Sequence, residues 1–262
     1  MLRRTWRQVL QRLRPAVPGP LLAPALRPFA AALLAVCLAV TVLLGAWFTH
    51  HTRPGRLDAA VDLRIQASLG GHPGILDVLA GFGGPVLVTV MTVALVLACL
   101  ATRRPRGAAL VAVAVPAAGA LTELLLKPLI GRTMRGALSF PSGHSTGAFA
   151  VAGACAVLLA GPSRPGMRAA ARLLLTLAAY LAACAVAVAL IGLGIHYFTD
   201  TIAGAAVGMA VVLVTAFILD GLGPPEHLRA AAEGLPPGRP VDRGGWPAHT
   251  GRSTGSHIRC SR

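Results

Sequence analysis

Six apolar runs, at approximately 29–49, 74–101, 108–126, 145–161, 173–193 and 200–220, succeed one another along the chain, separated by polar connections. A helix needs about 20 apolar residues to cross the hydrocarbon layer of a bilayer. The pattern therefore predicts an all-α protein, a polytopic membrane helix bundle of about six transmembrane helices. The fourth run is short, but it contains no proline and begins in a polar motif, so neighbouring helices are expected to set its depth.

Composition agrees with this pattern. With 55% hydrophobic residues, 13% charged residues and a mean hydropathy of +0.69, the chain is too apolar for a soluble domain of its length. A net charge of +15 would suit a nucleic-acid binder. The basic residues are instead scattered between apolar runs, without the single basic, aromatic-rich surface that nucleic acid requires. Topology accounts for them better. Of the 24 cationic residues, 18 fall on one side of the predicted spans and 6 on the other. By the positive-inside tendency this puts both termini in the cytoplasm and the loops carrying Lys127 and His196 outside, in an integral protein of the plasma membrane.

The spans divide the chain into four parts. Residues 1–28 form a basic cytoplasmic segment in which Leu2, Trp6, Val9 and Leu13 recur at near-helical spacing. That suits either an in-plane helix on anionic lipid or a solvated leader that fixes orientation. Residues 29–73 hold the first span and an outer loop; the apolar run is long for a secretory signal, and no A-x-A site follows it. Residues 74–220 form the helical core. Residues 221–262, rich in Gly, Pro and Arg, are expected to be a disordered cytoplasmic tail. Cys37, Cys99, Cys155 and Cys184 lie in apolar runs at wide spacing and read as small packing residues. Gly143/Gly147 and Gly204/Gly208 have the spacing that lets membrane helices approach closely.

Chemistry concentrates in three predicted outer segments: Lys127 to Arg135, with Arg132 between them; Phe140-Pro141-Ser142-Gly143-His144-Ser145; and Gly192 to Asp200, which contains His196. Two spans separate His144 from His196, so the chain leaves and returns to the same face and both imidazoles can reach one site. A neutral histidine can attack phosphorus if its tautomer is fixed. Asp200, four residues after His196, is placed to accept the proton on the other ring nitrogen. His144 can then protonate the departing oxygen. The amides at the start of the Ser142-Gly143-His144 helix form a cradle for phosphate, and Lys127, Arg132 and Arg135 supply balancing charge. Glu123, one turn before the only lysine, is expected to pair with it, since intramembrane carboxylates are costly alone. Taken singly, Asp200 and Ser142 would read as helix N-caps, and Tyr197 and Phe198 as aromatics of the membrane interface.

Together, Lys127 with its basic loop, Pro141-Ser142-Gly143-His144, and His196 with Asp200 resemble the type 2 phosphatidic acid phosphatase superfamily, over roughly residues 74–220. The resemblance implies a helical core shared with vanadium-dependent haloperoxidases and a membrane-bound hydrolase of a lipid phosphate or polyprenyl diphosphate, working without metal or other cofactor. It assigns His196 to the phosphohistidine, Asp200 to its orientation and His144 to the general acid. Lys127, Ser142 and Gly143 would hold the phosphate. Two positions depart from the family pattern. Met134 stands where an arginine is expected, and Ala189-Leu190 replaces a Ser-Arg pair. Arg132, Arg135 or the outer-loop residues Arg53, Arg56 and Arg64 would then have to compensate. A non-catalytic lipid-phosphate binder or flippase, or a haloperoxidase using the same anion cradle, are the competing expectations.

Overall fold

The computed structural model describes residues 19–161 and 167–222. The expectations for most of the basic leader and for the tail beyond residue 222 lie outside the described residues.

Helix α1 spans Arg27–Phe48, α2 Arg56–Leu69, α3 Pro73–Gly81, α4 Pro85–Ala101 and α5 Pro105–Ala120. Four of these, α1, α3, α4 and α5, carry a proline in their first two positions, where the missing N–H costs nothing and the fixed φ favours the helix. Helix α5 runs on through a π-helical turn, Leu121–Leu126, into the single turn α6, Lys127–Ile130. A short antiparallel hairpin of β1 (Thr133–Met134) and β2 (Ala137–Leu138) follows. Its two turn residues, Arg135 and Gly136, both have positive φ, 52° and 82°, as a tight two-residue hairpin turn demands. The chain ends in α7 (Gly143–Ala160), α8 (Ala169–Gly192) and α9 (Phe198–Gly221).

Among the described residues five helices are long and apolar enough to span a membrane, and α3 with α4 makes a sixth, bent by 43°. The single run read over 74–101 is thus two helices. The reason lies in Phe82-Gly83-Gly84-Pro85. Proline disfavours helical backbone in the residue before it, and Gly83 sits where a Cβ would come within 2.6 Å of Val186 Cγ1 and 2.8 Å of the His144 carbonyl oxygen. The break lets the backbone pass directly beside His144. The connection after the first span contains a helix, α2, over residues 56–69.

Helices α7 and α9 are the most enclosed spans, with 67% and 61% of their apolar windows buried. Gly204 and Gly208 bring them together. A Cβ on Gly204 would collide with the Ser142 carbonyl oxygen, and one on Gly208 would lie 2.5 Å from the Thr146 carbonyl oxygen. The main apolar core joins these two helices to α5 through residues such as Leu110, Val111, Ala154 and Val212. At the opposite end from His196, the Asp220 carboxylate accepts the backbone N–H groups of Leu21 and Leu22 at 2.7 and 3.0 Å. Since no side chain larger than hydrogen fits at the α7–α9 crossing, Gly204→Val is expected to lower the thermal midpoint sharply and increase aggregation on size exclusion in detergent. Gly74→Ala, in open space, is expected to leave both unchanged.

Candidate active site

A Schellman motif ends α8 and sets the position of His196. Gly194 adopts a φ of +63°, its N–H donates to the Ile191 carbonyl at 2.9 Å, and the N–H of Ile195 donates to the Leu190 carbonyl at 3.1 Å. This left-handed cap reverses the chain so tightly that His196 stands immediately before α9. His196 is 9% exposed, and its Nδ1 lies 3.6 Å from Asp200 Oδ2, close but longer than a formed hydrogen bond.

The first turn of α9 is capped entirely by carboxylates. Asp200 Oδ2 accepts the Tyr197 N–H at 3.2 Å, Asp62 Oδ1 the Phe198 N–H at 3.1 Å and Asp58 Oδ1 the Thr199 N–H at 2.9 Å. These are the donors a helix cannot satisfy itself, at its electropositive end. Asp58 and Asp62 come from α2 and were missed as site residues. Their signal was present: Asp58, Asp62 and Gln66 recur at helical spacing on one face, and the Gln66 side chain donates to the Ile191 carbonyl at 3.2 Å.

Arg132 lies among carboxylates rather than on the cavity wall. It is fully buried, with Nη1 2.6 Å from Asp200 Oδ1 and 2.7 Å from Thr199 Oγ1, and Nη2 2.6 Å from Asp58 Oδ2. Its plane is covered by Phe48 at 3.8 Å and Tyr197 at 4.5 Å. Tyr197 is accordingly a buried partner of the guanidinium rather than an interface aromatic. Burial, opposed by Arg132, pushes its phenol above the ordinary value. The two terminal nitrogens of Arg132 are taken up by these two carboxylates and the Thr199 hydroxyl, and its Nε is buried without a hydrogen-bond partner.

A cavity of about 910 Å³ opens beside this network. Its polar wall carries Lys127, Glu123, Ser139, Gly143, His144 and His196, and it continues between α4 and α5 along Val88, Thr92, Val96, Val115, Pro116 and Gly119. The two imidazoles and Lys127 thus meet on one surface. The expected Glu123 pair is present, with Lys127 Nζ 2.8 Å from the carboxylate. Gly143 is needed beneath it, because a Cβ there would collide with Glu123 Oε1. Ser139 was also missed: its hydroxyl is buried on the cavity wall and has no hydrogen-bond partner. Its position directly before the Phe140-Pro141-Ser142-Gly143-His144 block was the available signal.

Three other expected phosphate contacts are placed differently. Ser142 is buried, and its Oγ accepts the Ser145 N–H at 3.3 Å, so it caps α7 from behind the cavity wall. Arg135 is exposed at the hairpin turn, with Nη2 near Gly194, and is not on the wall. Leu190 is fully buried in an apolar cluster with Leu76, Ala80 and Val186, so an arginine there would enter a hydrocarbon core. Among the described residues Lys127 is the one Lys or Arg lining the cavity, and no group of three His, Cys, Asp or Glu side chains is arranged to hold a metal ion.

Residues 25–221 match the family model of the PAP2 superfamily. The chain belongs to this superfamily. As a PAP2 protein it is also similar in fold to the first transmembrane PAP2 type phosphatidylglycerolphosphate phosphatase from Bacillus subtilis. That crystal structure aligns with a TM-score of 0.56 and 16% sequence identity, over 74% of this chain and 96% of the other. No curated protein matches the chain in sequence.

The carboxylate cap has a consequence for stability. Burial, reinforced by Asp58 and Asp200 and opposed by the Phe198 N–H and Arg132, pushes Asp62 from 3.8 up to about 6. A carboxyl raised on folding binds its proton more tightly in the folded state. Its contribution is full below its unfolded value and is lost as pH rises through about 6. Asp62→Asn is therefore expected to gain in thermal midpoint relative to the parent protein between pH 4 and pH 7, measured by unfolding in detergent. A difference that is flat across that window contradicts the assignment.

Proposed function

We propose that this PAP2 protein hydrolyses a phosphate from a membrane lipid at the external face, through a covalent intermediate on His196. What carries the reading is the single cavity that joins two imidazoles, a lysine and a buried unpartnered hydroxyl to an apolar trough between α4 and α5. A phosphorylated headgroup suits the first part and a hydrocarbon chain the second. Phosphatidic acid, a polyprenyl diphosphate and phosphatidylglycerol phosphate all have that form.

In this scheme Nε2 of His196 attacks phosphorus while Nδ1 keeps its proton toward Asp200. The bond from phosphorus to the lipid oxygen breaks, and His144 delivers a proton to that oxygen. Water then attacks the phosphohistidine, with His144 receiving its proton, and inorganic phosphate leaves. Lys127 balances the phosphate charge, with Glu123 displaced from it by the substrate. Ser139 Oγ donates to a phosphate oxygen. The amides of Gly143 and His144, in the first turn of α7 where no carbonyl of the helix reaches them, donate to others. Ser142 acts by holding that turn in place. The charge distribution along the sequence supports cytoplasmic termini and an outward-facing site.

His196→Ala and His144→Ala are expected to abolish release of inorganic phosphate from phosphatidic acid micelles in the presence of EDTA, with expression and elution volume preserved. Ser139→Ala is expected to lose on the order of ten- to a hundredfold in kcat/KM, the equivalent of one hydrogen bond to a charged group, about 1.5–3 kcal/mol. Full activity in His196→Ala removes the nucleophile and with it this scheme.

A further inference from the structure

A run of facing side chains leads from helix α2 to the candidate nucleophile. Asp58 Oδ2 binds Arg132 Nη2, and Arg132 Nη1 binds Asp200 Oδ1, each at 2.6 Å. Asp200 Oδ2 in turn faces His196 Nδ1. We propose that Asp58, acting through Arg132, is a positioning residue that fixes the orientation and the available charge of Asp200 and so prepares His196. The proposal rests on the reading of His196 as the nucleophile.

Geometry supplies the first argument. The guanidinium is a planar fork clamped between the rings of Phe48 and Tyr197, with a carboxylate at each nitrogen end. It cannot rotate without breaking a buried ion pair. Asp200 Oδ1 is thereby fixed, and Oδ2 is left for the Tyr197 N–H and for His196. Asp58 is held just as firmly. Its two oxygens also accept the N–H groups of Gly55 at 3.1 Å and Thr199 at 2.9 Å, so α2 is locked to the start of α9.

Charge supplies the second. One positive charge is shared between two buried carboxylates, which leaves net negative charge behind His196. With Asp58 neutral, Arg132 would act on Asp200 alone, and Asp200 would support a protonated Nδ1 less well. Other titratable groups stand along this path, among them His51, whose ring packs edge-on against Phe48. His144 and Lys127, with Glu123 upon it, line the cavity together with His196. Asp62 stands beside Asp58, bonded to the Phe198 N–H, and the Tyr197 ring lies over Arg132.

The test uses the full chain purified in detergent, with phosphatidic acid micelles as substrate, and reads kcat and KM from pH 5 to pH 9. Asp58→Asn is expected to lower kcat on the order of 10- to 100-fold, the range typical for partners that orient a functional histidine, with KM little changed. Its acid limb should move to lower pH, because less negative charge supports the imidazolium. Asp58→Glu is expected to recover most of both. A folded Asp58→Asn with parental kcat and an unmoved acid limb overturns the proposal, as does a loss that falls entirely on KM. If Asp58→Asn does not fold, Arg132→Lys keeps the positive charge but removes the fork that links Asp58 to Asp200. A lowered kcat with KM little changed supports the proposal, and a parental kcat overturns it. Activity that survives His196→Ala instead refutes the nucleophile itself, whereas activity that needs His196 but ignores Asp58 refutes only this inference.

Discussion

A guanidinium without access to water holds the site end of this protein together. Arg132 meets Asp58 from α2, Asp200 and Thr199 from α9, and the ring of Phe48 from the end of α1. Three helices, α1, α2 and α9, converge on one side chain. Removing one partner from such a buried pair costs about 3–5 kcal/mol, because the charge left behind has neither water nor a counter-ion. Net stabilities are commonly about 5–15 kcal/mol, so this contact is a large share of what keeps the site assembled. Its rigidity is what lets a short loop present His196 at a defined place.

The helical crossings have a parallel purpose around the cavity. Gly204 and Gly208 draw α9 against α7, which brings the start of α7 beside the start of α9; the Ser142 N–H donates directly to the Asp200 carbonyl at 3.0 Å. Gly83 lets the break between α3 and α4 pass under His144. Beyond that break the cavity continues along apolar residues of α4 and α5. The polar site and its apolar trough therefore meet at the backbone break.

Much of this was legible in the sequence. Run length revealed the spans, because hydrocarbon thickness imposes it. The Glu123–Lys127 pair was legible because i,i+4 spacing on a helix leaves little choice of partner. The break at Gly83-Gly84-Pro85 was hidden by apolar residues that continue through it. Helix α2 escaped because its charged residues resemble those of a solvated connection; the spacing of Asp58, Asp62 and Gln66 marks one helical face but not the burial of that face. The burial of Arg132 was hidden for a related reason. Its nearness to Lys127 suggested a shared phosphate, and nothing in the spacing indicated that the rings of Phe48 and Tyr197 would cover it. Residue type and spacing place chemistry on a face of the membrane, but they do not tell which of two neighbouring cations turns inward.

The central claim is that phosphate passes through a covalent bond to His196. Its most direct test is to quench the full-length protein with base during turnover of radiolabelled phosphatidic acid and to map the label by peptide mass spectrometry. An acid-labile, base-stable phosphate on His196 is the predicted result. Label on another residue, or a protein that turns over substrate without ever carrying phosphate, would contradict it.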